Sequence, residues 1–201
     1  MNEAELREIL IEAWRESNEG SGRLWTDAVE LLYRKYPENR DFSIVEGKIG
    51  VLNTLYDTEL RYGNLKGGGE EGSAVRRLAR WIVSTESELT PLLTEGSPRA
   101  FEVLASENPV TKTNGKNLWS FASKFAHFHN PDAYPIYDGR AYNSVCEIAK
   151  VRPFHRPISD LEDDLWYRAW IDDLIEVQKF IGAPSFREVD KPLYWWNGGQ
   201  D

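Results

Sequence analysis

Lys116, Lys124 and Asp138 are the side chains whose types could do chemistry together. An amine beside a carboxylate, set among aromatics and partly out of water, can serve as a nucleophile. Burial lowers a lysine pKa, while a neighbouring carboxylate opposes that shift. All three lie in one stretch, "GKNLWSFASKFAHFHNPDAYPIYDGRAY", Gly115–Tyr142. Asn117 to Phe128 reads as a helix, and Lys116 to His129 spans roughly 20 Å along it. The extended run from Asn130 to Asp138 can cover about 30 Å. The loop can therefore fold back and set Asp138 beside either lysine. Two other readings of Asp138 stand beside this one. It can form a structural ion pair, or it can cap the helix that starts at Gly139, since aspartate is a favoured cap.

On a helical wheel Leu118, Phe121, Ala122, Phe125, Ala126 and Phe128 fill one broad arc, with Ser120, Ser123, Lys124 and His127 opposite. That second face is either an ordinary exposed polar face or the wall of a pocket. His127 and His129 stand about 200° apart, so they diverge rather than chelate, and no metal site is expected. Cys146 is the lone cysteine, which excludes a disulfide framework, a thiolate zinc site and a four-cysteine cluster within one chain. A single cysteine suits a reducing cytosol, so a cytoplasmic location is expected.

Charge is unevenly spread. The chain carries −9 overall, which argues against a generic nucleic-acid coat and against an anionic membrane surface. Val110–Arg156 nevertheless holds seven Lys or Arg against three acids, a local +4 that leaves −13 elsewhere. A locally basic face on an acidic body can still take a phosphate backbone, although charge runs more often mark a solvated face.

The elements that must position these residues read as helices throughout. The 201 residues suit one domain over 1–201, with length enough for two lobes. Apolar residues of helical period run from Leu6 to Trp14, and helices are expected over Leu24–Tyr36, Asp41–Tyr62 and Ala74–Ser84. In the third, Lys48 falls on the same side as Ile44, Val45, Ile49 and Leu52. A flexible glycine-rich loop is expected near 63–73. Short helices over Thr90–Thr94 and Pro98–Ala105 each have a proline near the first turn. "HNPDAYPIYD" reads as extended, because each proline pushes its predecessor out of the helical region. Helices follow over Gly139–Lys150 and Ser159–Phe180, and a last one is capped by Ser185 and interrupted by Pro192. The fold class expected is all-α, a compact multi-helix domain. The start, "MNEAELREILIEAWRES", lacks the basic head and continuous apolar run of a signal peptide, and no window is long and apolar enough to span a membrane.

A helix led by Gly-Lys, an aromatic-rich middle, "NPDAYPIYD" and a further helix resemble the centre of the helix-hairpin-helix DNA glycosylases, closest to the 8-oxoguanine glycosylase-like branch. "KFAHFHNPDAYPIYD" is similar to a pattern in small bacterial members of this fold. "KIGVLNTLYDT" and "FREVDKPLYWW" resemble further stretches of those proteins. The likeness covers Asn108–Asn143 best, and "VTKTNGKN" has one glycine where the usual hairpin has two.

The resemblance implies a partner, double-stranded DNA with a damaged or modified base, and no cofactor. It implies that Asp138 stabilises the sugar cation, and that Lys116, with Lys124 in reserve, forms a Schiff base. A monofunctional enzyme would need only Asp138 and a water. A flipped base must be held between apolar or aromatic faces, and Trp119, Phe128, Tyr134, Tyr137, Trp195 and Trp196 are available, although aromatics at this spacing usually fill cores. Lys112, Asn114, Gly115, His127 and Arg140 are the candidates for DNA contact, with the turn's backbone amides suited to an anion. The expected activity is base excision, with defence against phage DNA carrying modified bases as one role. The alternative is a glycosylase-fold module that binds a nucleic-acid or protein partner without chemistry.

Overall fold

The computed structural model describes residues 2–19, 22–56, 58, 60, 73–115, 117–153 and 163–198. Among these, eleven helices follow one another and no strand occurs, so the protein is all-α. They are α1 (Glu3–Glu19), α2 (Gly22–Lys35), α3 (Phe42–Leu55), α4 (Ala74–Ser84), α5 (Glu86–Glu95), α6 (Pro98–Ser106), α7 (Pro109–Asn114), α8 (Trp119–His129), α9 (Gly139–Val151), α10 (Asp163–Ile181) and α11 (Phe186–Gly198). Contacts divide the chain into two compact units, 25–130 and a second made of 1–24 with 131–201.

The 25–130 unit is built around α8. This helix packs against α3, α5 and α6, with Phe121, Ala122, Phe125 and Ala126 fully buried. The polar face expected to be exposed or pocket-lining is buried as well, since Ser123, Lys124 and His127 are at most 3% exposed. α7 is a helix that the sequence reading missed. Asn108 starts it, with Oδ1 accepting from the amides of Val110 and Thr111 at 2.9 and 2.8 Å. Pro109 then suits the first turn, where its missing N–H costs nothing.

The other unit packs α1 and α9 on α11, with α10 against all three. Pro192 does not interrupt α11. Val189 and Leu193 are buried on either side of it, and Ser144 on α9 donates to the Leu193 carbonyl at 2.7 Å. That packing outweighs the lost backbone bond, which on its own costs about 3 kcal/mol. Pro91 likewise lies inside α5 rather than at its start. It and Ser87, whose carbonyl loses its partner, are exposed, so water can satisfy that oxygen. α3 stops at Leu55, short of the expected Tyr62, and residues 63–72 of the glycine-rich stretch lie outside the described residues.

Candidate functional site

The turn from α7 to α8 is built from backbone economy. Gly115 ends α7 in the left-handed region, φ 66°, a conformation that costs a β-carbon-bearing residue about 1 kcal/mol or more. A β-carbon there would meet nothing within 4 Å, so the glycine answers to conformation and not to crowding. The far side of the turn is pinned to α6. The Leu118 amide donates to the Ala105 carbonyl at 2.9 Å, and Thr111 Oγ1 donates to the same oxygen at 2.8 Å. Asn108 Nδ2 donates to the Leu104 carbonyl at 2.8 Å. Every member of this buried network is paired, which fixes where α8 begins. The N-cap residue there, Leu118, has no side chain that can cap the helix.

Lys112 stands exposed on α7, and Trp119 is half-buried in the first turn of α8. Lys116 and the side chain of Asn114 lie outside the described residues. Lys124 is buried at 3% exposure, and its Nζ donates to Ser120 Oγ at 2.7 Å and to the Tyr56 carbonyl at 3.3 Å. His127 sits edge-on to Phe128, and Phe128 packs against Tyr33 and Tyr56 with centroids 5.5 Å apart in each case. Phe128 and His127 are thus buried side chains of this unit.

Asp138 belongs to the other unit, where it is the N-cap of α9. Its Oδ1 accepts from the Ala141 amide at 2.8 Å. Among the described residues this is the side chain's single hydrogen bond, which leaves Oδ2 uncommitted. The connection that delivers Asp138 is held at two points. Tyr167 Oη donates to the Pro135 carbonyl at 2.8 Å, and the Ile136 amide donates to Asp190 Oδ2 at 3.2 Å. Tyr134 is fully buried. Tyr137 stands edge-on to Trp166 and Trp170 at 4.4 and 5.4 Å, so it is a packing residue of this unit. Arg140 is exposed, with its guanidinium 4.9 Å from the Tyr194 ring centre. Trp196 is half-buried, and the side chain of Trp195 lies outside the described residues. The candidates therefore divide, with Lys112 to Phe128 in one unit and Tyr137 to Trp196 in the other.

The sequence reading passed over a cluster at the far end of α8. Lys48 on α3 is fully buried, and its ammonium has no carboxylate partner among the described residues. It donates to Asn39 Oδ1 at 3.0 Å and to the Glu38 carbonyl at 3.3 Å, and lies 4.7 Å from the Tyr33 ring centre. Burial pushes its pKa down to about 8. The His129 ring meets Tyr33 edge-on at 4.9 Å, and among the described residues neither its buried Nε2 nor Tyr33 Oη has a hydrogen-bond partner. Burial first, and the Lys48 charge second, hold His129 well below its usual pKa. Burial, with a smaller effect from Tyr56, holds the Tyr33 phenol well above its own. The signal was a lysine in register with Val45, Ile49 and Leu52, a position where charge has no business without a purpose or a partner.

The fold and this cluster define an all-α helical protein whose first two-thirds carry its own buried polar site. Residues 6–133 match the family HI_0787_N, an N-terminal domain, and the chain belongs to that family. It is also 34% identical over 87 residues, 43% of this chain, to an uncharacterized protein of Haemophilus influenzae strain Rd. The aligned stretch spans 39% of that relative's length. No solved structure matches the chain. Lys48, Lys112 and Lys124 fall inside the family-matched stretch, and Asp138 and Arg140 fall beyond it.

Proposed function

We propose that this protein is a DNA glycosylase that hydrolyses the N-glycosidic bond of a damaged or modified base, with phage-type modified DNA among its substrates. The observation that carries the reading is Asp138. One carboxylate oxygen is spent on capping α9, and the other has no partner among the described residues. As the C1′–N bond breaks, the base leaves with the bonding electrons and positive charge builds on the sugar. A fixed carboxylate at that point stabilises the charge and accepts a proton from the attacking water. Water is favoured over Lys124 as the nucleophile, because that amine is buried and donates to Ser120 and Tyr56.

That same burial supports the second reading, a glycosylase-like module that binds without chemistry. One experiment separates them. Duplexes bearing damaged and phage-type modified bases are incubated with the protein, then treated with alkali or, in parallel, with borohydride. Alkali-sensitive product that disappears in Asp138→Asn is the expected result. Product that survives that change sinks the proposed mechanism, and a borohydride adduct lost in Lys116→Ala would replace water with that amine. No product on any duplex leaves the binding module.

A further inference from the structure

We infer that Lys48, Tyr33 and His129 form a buried binding site for a small monovalent anion inside the 25–130 unit; the inference stands independently of the function proposed above. Lys48 and Tyr33 are shut off from solvent, at 0% and 2% exposure. Lys48 Nζ spends one N–H on Asn39 Oδ1 at 3.0 Å and one on the Glu38 carbonyl at 3.3 Å. Both acceptors are neutral, and an ammonium has three donors. It therefore keeps its full charge and a spare N–H, with no carboxylate partner among the described residues. Tyr33 Oη and His129 Nε2 are buried and have no hydrogen-bond partner among the described residues either. A buried charge without a counter-charge is among the costliest arrangements a fold can hold, and each unsatisfied polar atom adds to that cost.

The groups share one ring. Nζ stands over Tyr33, 4.7 Å from the ring centre, and His129 meets the same phenol edge-on at 4.9 Å. A nitrogen over the face of a phenol is roughly two hydrogen-bond lengths from its Oη, too far to bond and near enough for one bridging atom. The donor set selects what that atom belongs to. The ammonium and the phenol offer hydrogens and a positive charge, and the imidazole offers a third hydrogen when its proton sits on Nε2. A water satisfies the hydrogens and leaves the charge unanswered, whereas an anion satisfies both. The walls limit its size and charge. Tyr33 also packs against Phe125 and Phe128, with centroids 5.7 and 5.5 Å apart, so an occupant must shed its water beside apolar rings. A halide or a small carboxylate such as formate can do so, while the desolvation cost of a phosphate dianion is far larger. His129 is half-buried, which puts the entry side at the end of α8.

The test is the urea stability of the full chain as chloride replaces gluconate at constant ionic strength, gluconate being too large to enter. A ligand that binds the folded state alone raises the folded-to-unfolded ratio by 1 + [L]/Kd, so the ratio should climb about tenfold at a chloride concentration ten times Kd. Lys48→Met should lose that response. Tyr33→Phe deletes one hydroxyl from an otherwise unchanged ring, and should need several-fold more chloride for the same rise. A parent whose stability ignores chloride, and formate run in parallel, overturns the inference and leaves water against the ammonium. So does a response that Lys48→Met retains in full, which places the anion elsewhere. If Lys48→Met does not fold, Tyr33→Phe decides, since an unchanged chloride dependence there removes the site. Base excision by the parent bears on the proposed function alone, so either reading can fail without the other.

Discussion

The two units each have an aromatic core bordered by polar side chains, but they treat those polar groups differently. In the unit that carries Asp138, Tyr167, Ser144 and Asp190 each tie one segment's backbone to another. They act as braces, although this unit too holds buried polar atoms without a hydrogen bond among the described residues, Trp170 Nε1 for one. In the 25–130 unit the Asn108–Thr111 network is equally well satisfied, yet a few turns away Lys48, Tyr33 and His129 place an ammonium, a phenol and an imidazole in the interior with two of their polar atoms unpaired. Braces explain themselves by the backbone they fix. The Lys48 cluster costs stability, and the family match runs across it while stopping short of Asp138.

The largest effect should come from removing the core on the braced side. Trp170 is fully buried and meets Tyr137 and Tyr142. Trp170→Ala should cost about 3–5 kcal/mol in urea denaturation. A loss below about 1 kcal/mol would mean that these rings do not form the core of that unit. Next in size is Asp138→Asn, in which cap and chemistry separate. Asparagine caps about as well as aspartate, so stability should change by well under 1 kcal/mol. Excision should fall by about 10²-fold or more, as when preorganised charge stabilisation is removed elsewhere. Equal losses of stability and activity would reduce Asp138 to a brace like its neighbours.

Lys48 gives the reverse case. Its pKa is about 8 in the fold against an ordinary 10.5, so the protonated form is disfavoured there. The cost is fully present below pH 8 and is relieved as pH rises from 8 towards 10.5, so stability should climb over that window. The slope should approach 1.4 kcal/mol per pH unit at most. Lys48→Met should abolish that climb and leave stability at pH 7 equal or about 1–2 kcal/mol higher. His129 acts on the acid side. It stays neutral in the fold while the unfolded chain takes a proton below pH 6.5, so stability should fall as pH drops from there. His129→Phe should flatten that fall. If Lys48→Met unfolds the protein, the lysine is a brace after all, and the contrast between the units collapses.

The helical class was legible because apolar periodicity is strong in α2 and α4. The cap at Asp138 was legible for a local reason, since an aspartate before Gly139 follows an extended Pro-containing run. The rest depended on information the sequence does not hold locally. α7 is six residues long, too short for a periodic signal, and only Asn108-Pro109 announced it. The Ser123, Lys124 and His127 face read on a wheel as either exposed or pocket-lining, but a wheel cannot say that neighbours cover both sides of a helix. Pro192 read as a stop because its local cost is plain, whereas the packing that offsets it comes from α1 and α9, distant in sequence. Lys48 sat visibly in an apolar register. Nothing in the sequence said that Tyr33 and His129, respectively 15 residues before and 81 after it, would close round it.

The smallest predicted effect draws the sharpest line between the units. Gly115 and Gly182 both end helices in the left-handed region, at φ 66° and 75°, and a β-carbon at either would meet nothing within 4 Å. Gly182 closes α10 with its own amide and that of Ala183 donating to the Gln178 carbonyl at 2.9 and 3.1 Å. Gly→Ala should therefore cost about 1 kcal/mol at each position, since left-handed strain outweighs the entropy that alanine removes from the unfolded chain. The two should part company on DNA. If the α7–α8 turn seats a phosphate, Gly115→Ala also shifts the amides that meet it, and duplex affinity should drop several-fold beyond what the stability loss explains. Gly182→Ala should bind as the parent does. Equal binding by both variants, with equal stability losses, would leave Gly115 as a helix stop and move the DNA surface away from this turn.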